Sequence, residues 1–389
     1  MLNVLTNLII KVKPLSLGTT LLFFSQPFYI MKSSLGKACL ITGISFGTAW
    51  AIRGHFGHEH GAIWAAAIGV LTLLVVSNRA DWLNRALTIV LASALGWGIS
   101  GGVMSYGLLI GYSHATDFLN SSYGLLSLFV VGSLYGCLGG GLLGLALSET
   151  DTYKVDWPRL IVEMVVGGLI AYFFIIMQFE WLMTPPRDEN WAFCFGATLM
   201  LFWYLTRHGH SAALKVALWS ALGAGFGFAS GNFLQVVARA YEIKFNFWNV
   251  MEYSIGFWGG IGMTYGVLTN RWPVMQRKIS IKSQWLSIVF FALLIPFIVW
   301  EQAIYPERVL KYYTAVELGT YAGTVRMIAL ALVLGVAFMY LRKWLVNKTE
   351  AQFTRNELIG FTLTLLGVYI LNSFIIKGAF FTAKYAELY

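Results

Sequence analysis

The chain has 389 residues, of which 58% are hydrophobic and only 12% charged, with a formal net charge of +9. So few charges over this length exclude a water-soluble domain, and apolar windows long enough to cross about 30 Å of hydrocarbon recur from one end to the other. The excess of Lys and Arg falls mostly in short connections between those windows, so it reports orientation in a bilayer and not a nucleic-acid partner.

The windows are continuous and lack the alternating ten-residue pattern of an outer-membrane barrel. The expected class is therefore all-α, a polytopic helical membrane protein whose helices satisfy their own backbone groups in lipid. The stretch 15–31 is short and contains Pro27, which leaves three readings open: a twelfth span, an uncleaved targeting segment or a helix lying in the interface. Eleven spans are expected after it, at 35–54, 61–78, 86–111, 123–148, 158–182, 190–206, 211–239, 249–270, 285–303, 318–341 and 357–377.

Within this series the chain copies itself. Trp64 to Gly69, WAAAIG, recurs as Trp191 to Gly196, WAFCFG, and Ala86 to Gly98, ALTIVLASALGWG, recurs as Ala213 to Gly225, ALKVALWSALGAG, both at an offset of 127 positions (64 to 191, 86 to 213). Each copy holds four spans, an even number, so two parallel four-helix repeats related by an axis along the membrane normal are expected. The expected units are 1–34, an N-terminal interfacial or extra transmembrane segment; 35–157, the first repeat; 158–275, the second repeat; and 276–389, a three-helix C-terminal unit. Gly132, Gly136, Gly140 and Gly144 stand at every fourth position, with Gly256 and Gly260 in the matching span, a spacing that lets helix backbones approach closely.

The basic connections around Arg79 and Arg85, Lys154 and Arg159, Arg207 and Lys215, 271–282 and 342–355 fall on one side of an eleven-span chain. That side is expected to be cytoplasmic, in a plasma membrane such as the bacterial inner membrane. Cys39, Cys137 and Cys194 all lie in apolar segments and are odd in number, which reads as buried free thiols.

The chemistry centres on Arg53 to His60, RGHFGHEH, between the first two spans. His55, His58 and His60 stand beside Arg53 and Glu59, and ionisable groups at membrane depth are costly enough to imply a function. Three glycines punctuate the run, so a broken helix end or re-entrant turn is expected there. The run reads HxxHEH, matching no zinc-protease signature, and no metal site is expected. Glu59 also reads as a cap on the second span, as Asp188 and Glu189 do before Trp191 in the second copy. Further charges, Glu180, Arg239, Glu252, Glu301, Glu317 and Arg326, fall at the same outward level, and with Arg53 and Glu59 they suggest a water-filled polar cavity. His114, His208 and His210 read as solvated loop residues.

Two functions fit. One is a transporter or permease for a small polar or anionic solute, with Arg53 as anion partner, His55, His58, Glu59 and His60 as proton-coupling groups, and Glu180, Arg239, Glu252 and Arg326 around the pathway. The other is a membrane-embedded enzyme, an acyl or glycosyl transferase or a metal-assisted hydrolase, acting on a lipid-linked substrate with His58 and Glu59 as its catalytic pair. No phosphate-binding loop or dinucleotide fingerprint is present and no cofactor is expected. The expected partners are the lipid bilayer and the solute.

Overall fold

Helix is the only repetitive structure among the described residues, as the unbroken apolar windows require. The computed structural model of the protein describes residues 32–53, 58–275, 280–315, 317–346, 348 and 353–377, so the expected segment 15–31 lies outside the described residues. Seven helical stretches are long and apolar enough to cross a membrane: Ser34–Arg53, Ala86–Val103, Phe118–Ser148, Trp157–Gln178, Ser211–Ala240, Ile281–Gln302 and Gly319–Val346. The remaining expected spans coincide with other helices, one of which, Gly61–Ser77, is shorter than a full crossing.

In chain order the first ten helices are α1 (Lys32–Arg53), α2 (His58–Ser77), α3 (Ala80–Leu83), α4 (Ala86–Val103), α5 (Gly107–Ser113), α6 (Phe118–Ser148), α7 (Trp157–Tyr172), α8 (Asn190–Arg207), α9 (Ser211–Ala240) and α10 (Phe247–Leu268). Three begin with a side-chain cap that the sequence supplies: Asp117 accepts from the Asn120 amide, Asp156 from Arg159 and Asn246 from Asn249. Each cap satisfies one of the orphan amides of a first helical turn.

Six of these helices close a ring of contacts, α1 against α2, then α4, α6, α9, α10 and back to α1. Small residues make the seams. The run Gly132, Gly136, Gly140 and Gly144 forms the face of α6 that meets α9; a β-carbon on Gly132 would lie 2.5 Å from the Ala224 carbonyl oxygen, and one on Gly136 would collide with the Ser220 carbonyl. Gly256 places α10 equally close to the Phe46 carbonyl of α1. With backbones this near, dispersion over the whole seam replaces the hydrophobic effect, which drives no association between helices already in lipid.

Aromatic side chains fill the ring. Phe46 and Trp97 meet edge to face at 5.0 Å, Trp50 and Trp97 at 5.7 Å, and Tyr135 stacks on Phe228 at 6.1 Å. Trp50, Trp97, Tyr135, Phe46 and Phe228 are all fully buried, so the centre of the ring is packed solid at this level.

One expected span is corrected. The stretch 86–111 is not a single helix: α4 stops at Val103, Met104 is extended (φ −84°, ψ 124°), and the chain restarts as the short α5. The apolar pattern continues through the break and so conceals it, whereas the freed backbone is tolerated because the segment is buried in protein.

The other helices lie outside the ring. The α7 and α8 hairpin leans on α6, and most of α7 is exposed as a surface for lipid would be. After the ring come α11 (Trp285–Val289), α12 (Ile295–Ala303), α13 (Pro306–Thr314), α14 (Ala322–Leu341) and α15 (Arg355–Lys377). A π-helical turn, Phe290–Leu294, joins α11 to α12 just before Pro296, whose missing amide interrupts regular α bonding there. α12 and α15 pack on α2, where Tyr369 stacks on Trp64 at 4.7 Å and donates to the Gly61 carbonyl at 3.0 Å.

Corresponding helices of the two copies are not all packed alike. Gly96 of α4 faces α6 and its counterpart Gly223 of α9 faces α10, as a duplicated pair would. In contrast α2 lies along α4, while its counterpart α8 makes only slight contact with α9. The basic connections do converge at one end, where Arg85 reaches the Ala146 carbonyl, Gln284 the Asn84 carbonyl and Arg355 the Val75 carbonyl. Cys39, Cys137 and Cys194 are buried free thiols, as expected.

Candidate functional site

The opposite end of the ring carries a charge pair. Arg53 is the last residue of α1, and its Nη2 donates to Oε2 of Glu252, in the second turn of α10, at 2.9 Å. The two side chains are 0% and 1% exposed. Below them the Trp50 ring lies 4.5 Å from the guanidinium carbon, so the cation rests on an aromatic face as well as on a carboxylate. Desolvating two ions costs several kcal/mol each, about as much as their attraction returns, so this pair does not exist for stability alone.

Two helix ends meet beside this pair. The end of α1 and the start of α2 are pressed together, since a β-carbon on Gly61 would lie 2.6 Å from the Arg53 carbonyl oxygen. On the other side, the break after α4 lets Tyr106 turn inward, where its hydroxyl donates to Oε1 of Glu252 at 3.3 Å. Tyr106 also packs on Phe228 at 5.2 Å and approaches Trp248 at 6.4 Å. A continuous helix through 104–106 would carry this hydroxyl elsewhere.

Trp248, which approaches Tyr106, also lines an open cleft of about 720 Å³ together with His114, Gln235, Arg239 and Asn246. Nδ1 of His114 bonds the Ile110 carbonyl at 2.7 Å, which leaves its other ring nitrogen for the cleft. Gln235 Oε1 is buried without a partner, and Arg239 is exposed. Beneath the cleft Asn232 donates to Ser113, tying α9 to α5. The cleft thus offers a cationic donor in Arg239 and a neutral acceptor in Gln235 Oε1 beside an aromatic surface.

The sequence-level candidates separate into groups. Arg53 and Glu252 meet, Arg239 lies in the adjoining cleft, and the others are placed apart. Glu180 is exposed at a positive-φ turn (52°) beyond α7. Arg326 donates to the Ile304 carbonyl at 2.8 Å and covers Trp300, so it staples α14 to α12 and does not line a shared pathway. His55 lies outside the described residues, as do the side chains of His58, Glu59 and His60, whose backbone opens α2. The expected water-filled cavity holding all these charges is therefore corrected: the pair is dry, and only the neighbouring cleft is open.

Several positions around the pair and the cleft are unmarked in the sequence. Tyr106 and Tyr135 stand in no motif there, Trp248 reads as a belt aromatic, and His114 as a solvated loop residue. A signal for Tyr106 existed in its flanking glycines, Gly101, Gly102 and Gly107. Glu189 is also corrected: its carboxylate makes no cap bond to α8 and accepts instead from the Met183 and Thr184 amides and the Trp191 indole. His210 is not a solvated loop residue either, since it is half-buried and its Nε2 bonds the Tyr153 hydroxyl at 2.8 Å. Among the described residues no group of three or more His, Cys, Asp or Glu is close enough to hold a metal ion. Comparison with protein-family models, with curated proteins and with solved structures finds no match for this chain.

Proposed function

We propose that this chain is a multi-pass membrane permease for a small polar or anionic solute, admitted through the cleft at Arg239 and passed inward by the Arg53 and Glu252 pair. One observation carries the reading: at the break between α4 and α5, Tyr106 bonds Glu252 of the buried ion pair and approaches Trp248, which lines the open cleft. Discontinuous helices beside buried charges are the usual place for a solute site in membrane carriers. The aromatic packing beneath the pair fits a closed state of such a pathway.

The physical logic is an exchange of partners. A proton that binds the Glu252 carboxylate removes the negative charge facing buried Arg53, and breaking a buried pair in this way costs about 3–5 kcal/mol. An anionic solute arriving past Trp248 and Tyr106 relieves that cost by taking the guanidinium, whose planar fork suits carboxylate or phosphate. When the proton leaves, Glu252 recovers Arg53 and the solute is expelled, so proton and anion move together. His55, His58, Glu59 and His60, at the junction of α1 and α2, are the groups we assign to proton delivery. The basic end is assigned to the cytoplasm of a plasma membrane, with eleven spans in all.

The test is uptake into liposomes holding the purified protein, with a panel of radiolabelled carboxylates and phosphates and an imposed pH gradient. Uptake that requires the gradient, and that loses its gradient dependence in Glu252→Gln, supports the reading. Uptake of no panel member by the folded protein, or full gradient dependence in Glu252→Gln, overturns it.

A further inference from the structure

A second pocket, of about 430 Å³, lies at the basic end of the bundle, remote from the cleft at Arg239. Its floor is Arg85, the residue at the N-cap of α4, with a side chain only 3% exposed. Two of its nitrogens are committed: Nη1 donates to the Ala146 carbonyl at 3.0 Å and Nη2 to that of Leu147 at 3.4 Å, both at the C-terminal end of α6. Its Nε is buried with no partner. A buried donor left unsatisfied costs about 1–3 kcal/mol, more when it is charged, so such a donor calls for an explanation.

The acid nearby does not supply one. Glu149 approaches Arg85 only to 3.7 Å, and its Oε1 is already bonded by the Val155 amide and the Trp157 indole, each at 3.2 Å. Burial pulls the Arg85 guanidinium below its ordinary pKa more strongly than Glu149 and the other acids raise it, the mark of an under-compensated cation. Glu149 itself lines the pocket, and the other polar groups of the lining add positive charge and hydroxyls: the exposed Lys154, Ser280 and Ser283, and Thr88 in the first turn of α4. No side chain caps that first turn, and Thr88 and Ile89 bring the positive end of the α4 dipole to the pocket wall.

The geometry points to a phosphate-type oxyanion site in this pocket, held by Arg85 and Lys154 at the N-terminus of α4. The fold closes it from three directions. α4 and the end of α6 form its base, the connection to α7 brings Lys154 and Trp157, and the segment at Ser280 is fastened down by Gln284, which donates to the Asn84 carbonyl at 2.7 Å. An oxyanion here joins the segment that leads into α11 to the ring. The same chemistry is presented by free phosphate and by the headgroup of an anionic lipid, which the basic end of a membrane protein meets in its own leaflet.

The site is tested on the full chain purified in detergent, by calorimetric titration with inorganic phosphate, and in nanodiscs of phosphatidylglycerol against phosphatidylcholine, by native mass spectrometry of retained lipid. Arg85→Gln removes a helix clamp and can misfold, so Lys154→Gln, at an exposed position, is the principal variant. Saturable phosphate binding, weakened about tenfold by Lys154→Gln, establishes a free-phosphate site; one charge-assisted contact has this worth. No phosphate binding, but retention of phosphatidylglycerol that Lys154→Gln abolishes, establishes the lipid headgroup as occupant. Neither ligand bound, or binding indifferent to Lys154→Gln, overturns the proposal. The binding component that Lys154→Gln removes persists in Arg239→Gln, which separates this site from the solute cleft.

Discussion

The guanidinium of Arg53 and the carboxylate of Glu252, 199 positions apart in sequence, meet at 2.9 Å with both side chains sealed from solvent. A pair of this kind behaves asymmetrically under mutation. Removing one partner leaves an uncompensated buried charge, whereas replacing both by apolar groups of similar volume is often neutral or favourable. Arg53→Met and Glu252→Leu are each expected to destabilise the protein by about 3–5 kcal/mol, and the double variant by much less. Thermal denaturation of the three proteins in one detergent measures this cycle, and strict additivity would refute it. In the uptake assay the double variant folds yet carries no solute.

The α6 seam gives a prediction on packing alone. A β-carbon on Gly136 would strike the Ser220 carbonyl, while Gly335 and Gly360 have nothing within 4 Å. Gly136→Ala is expected to cost about 1–3 kcal/mol through overpacking. Gly335→Ala and Gly360→Ala, in the interiors of α14 and α15, are expected to be neutral or to gain about 0.5–1 kcal/mol from helix propensity. Equal losses at all three positions would show that the seam is not where the backbones approach.

How much of this was legible in the sequence follows from which forces leave a local trace. Helix positions were, because a lipid-facing helix must be apolar along its length and its starts carry caps such as Asp117, Asp156 and Asn246. The glycine seam was too, since fourfold spacing marks one helix face. The partnership of Arg53 with Glu252 was only half visible: both were singled out as costly charges, yet nothing local says which acid meets which base when 199 positions separate them. The break at Met104 left no apolar gap to see, and Tyr106 becomes special only through the tertiary contact that the break permits. Arg326 and Glu180 shared a level with the pair by counting along helices, but level along the membrane does not specify position around the bundle.

The Tyr153 and His210 contact ties the α6 to α7 connection to the start of α9, and it carries a pH prediction. Burial, with a smaller contribution from His208, lowers the His210 pKa below its ordinary value of 6.5. Burial first, and then the Tyr204 hydroxyl, pushes Tyr153 up to about 12, so Tyr153 remains the donor and neutral His210 the acceptor. Below pH 6.5 the unfolded chain binds a proton that the folded chain refuses, so this contact's stability falls as pH drops from 6.5 toward the lowered folded value. His210→Gln is expected to flatten that part of the stability curve between pH 5 and 7, measured by thermal melts in matched buffers. An unchanged slope in the variant would assign the dependence to another group.

Tyr106 separates a structural from a functional role for the broken helix. Its hydroxyl reaches Glu252 at 3.3 Å, longer than a strong charge-assisted bond, so Tyr106→Phe removes little stability, about 0.5–1.5 kcal/mol. What it removes is a hydrogen bond to the Glu252 carboxylate, which Arg53 also bonds. With one donor fewer the carboxylate is held less firmly in place, and coupled uptake falls below that of the parent. Tyr106→Ala also opens the wall between Trp248 and Phe228, so solute and protons leak past the pair and the dependence on a gradient weakens. Uptake measured from pH 5 to 8 in both variants distinguishes these effects. A Tyr106→Phe profile superimposable on the parent, with Tyr106→Ala inactive but folded, would mean that the ring, and not the hydroxyl, is what the break at Met104 exists to deliver.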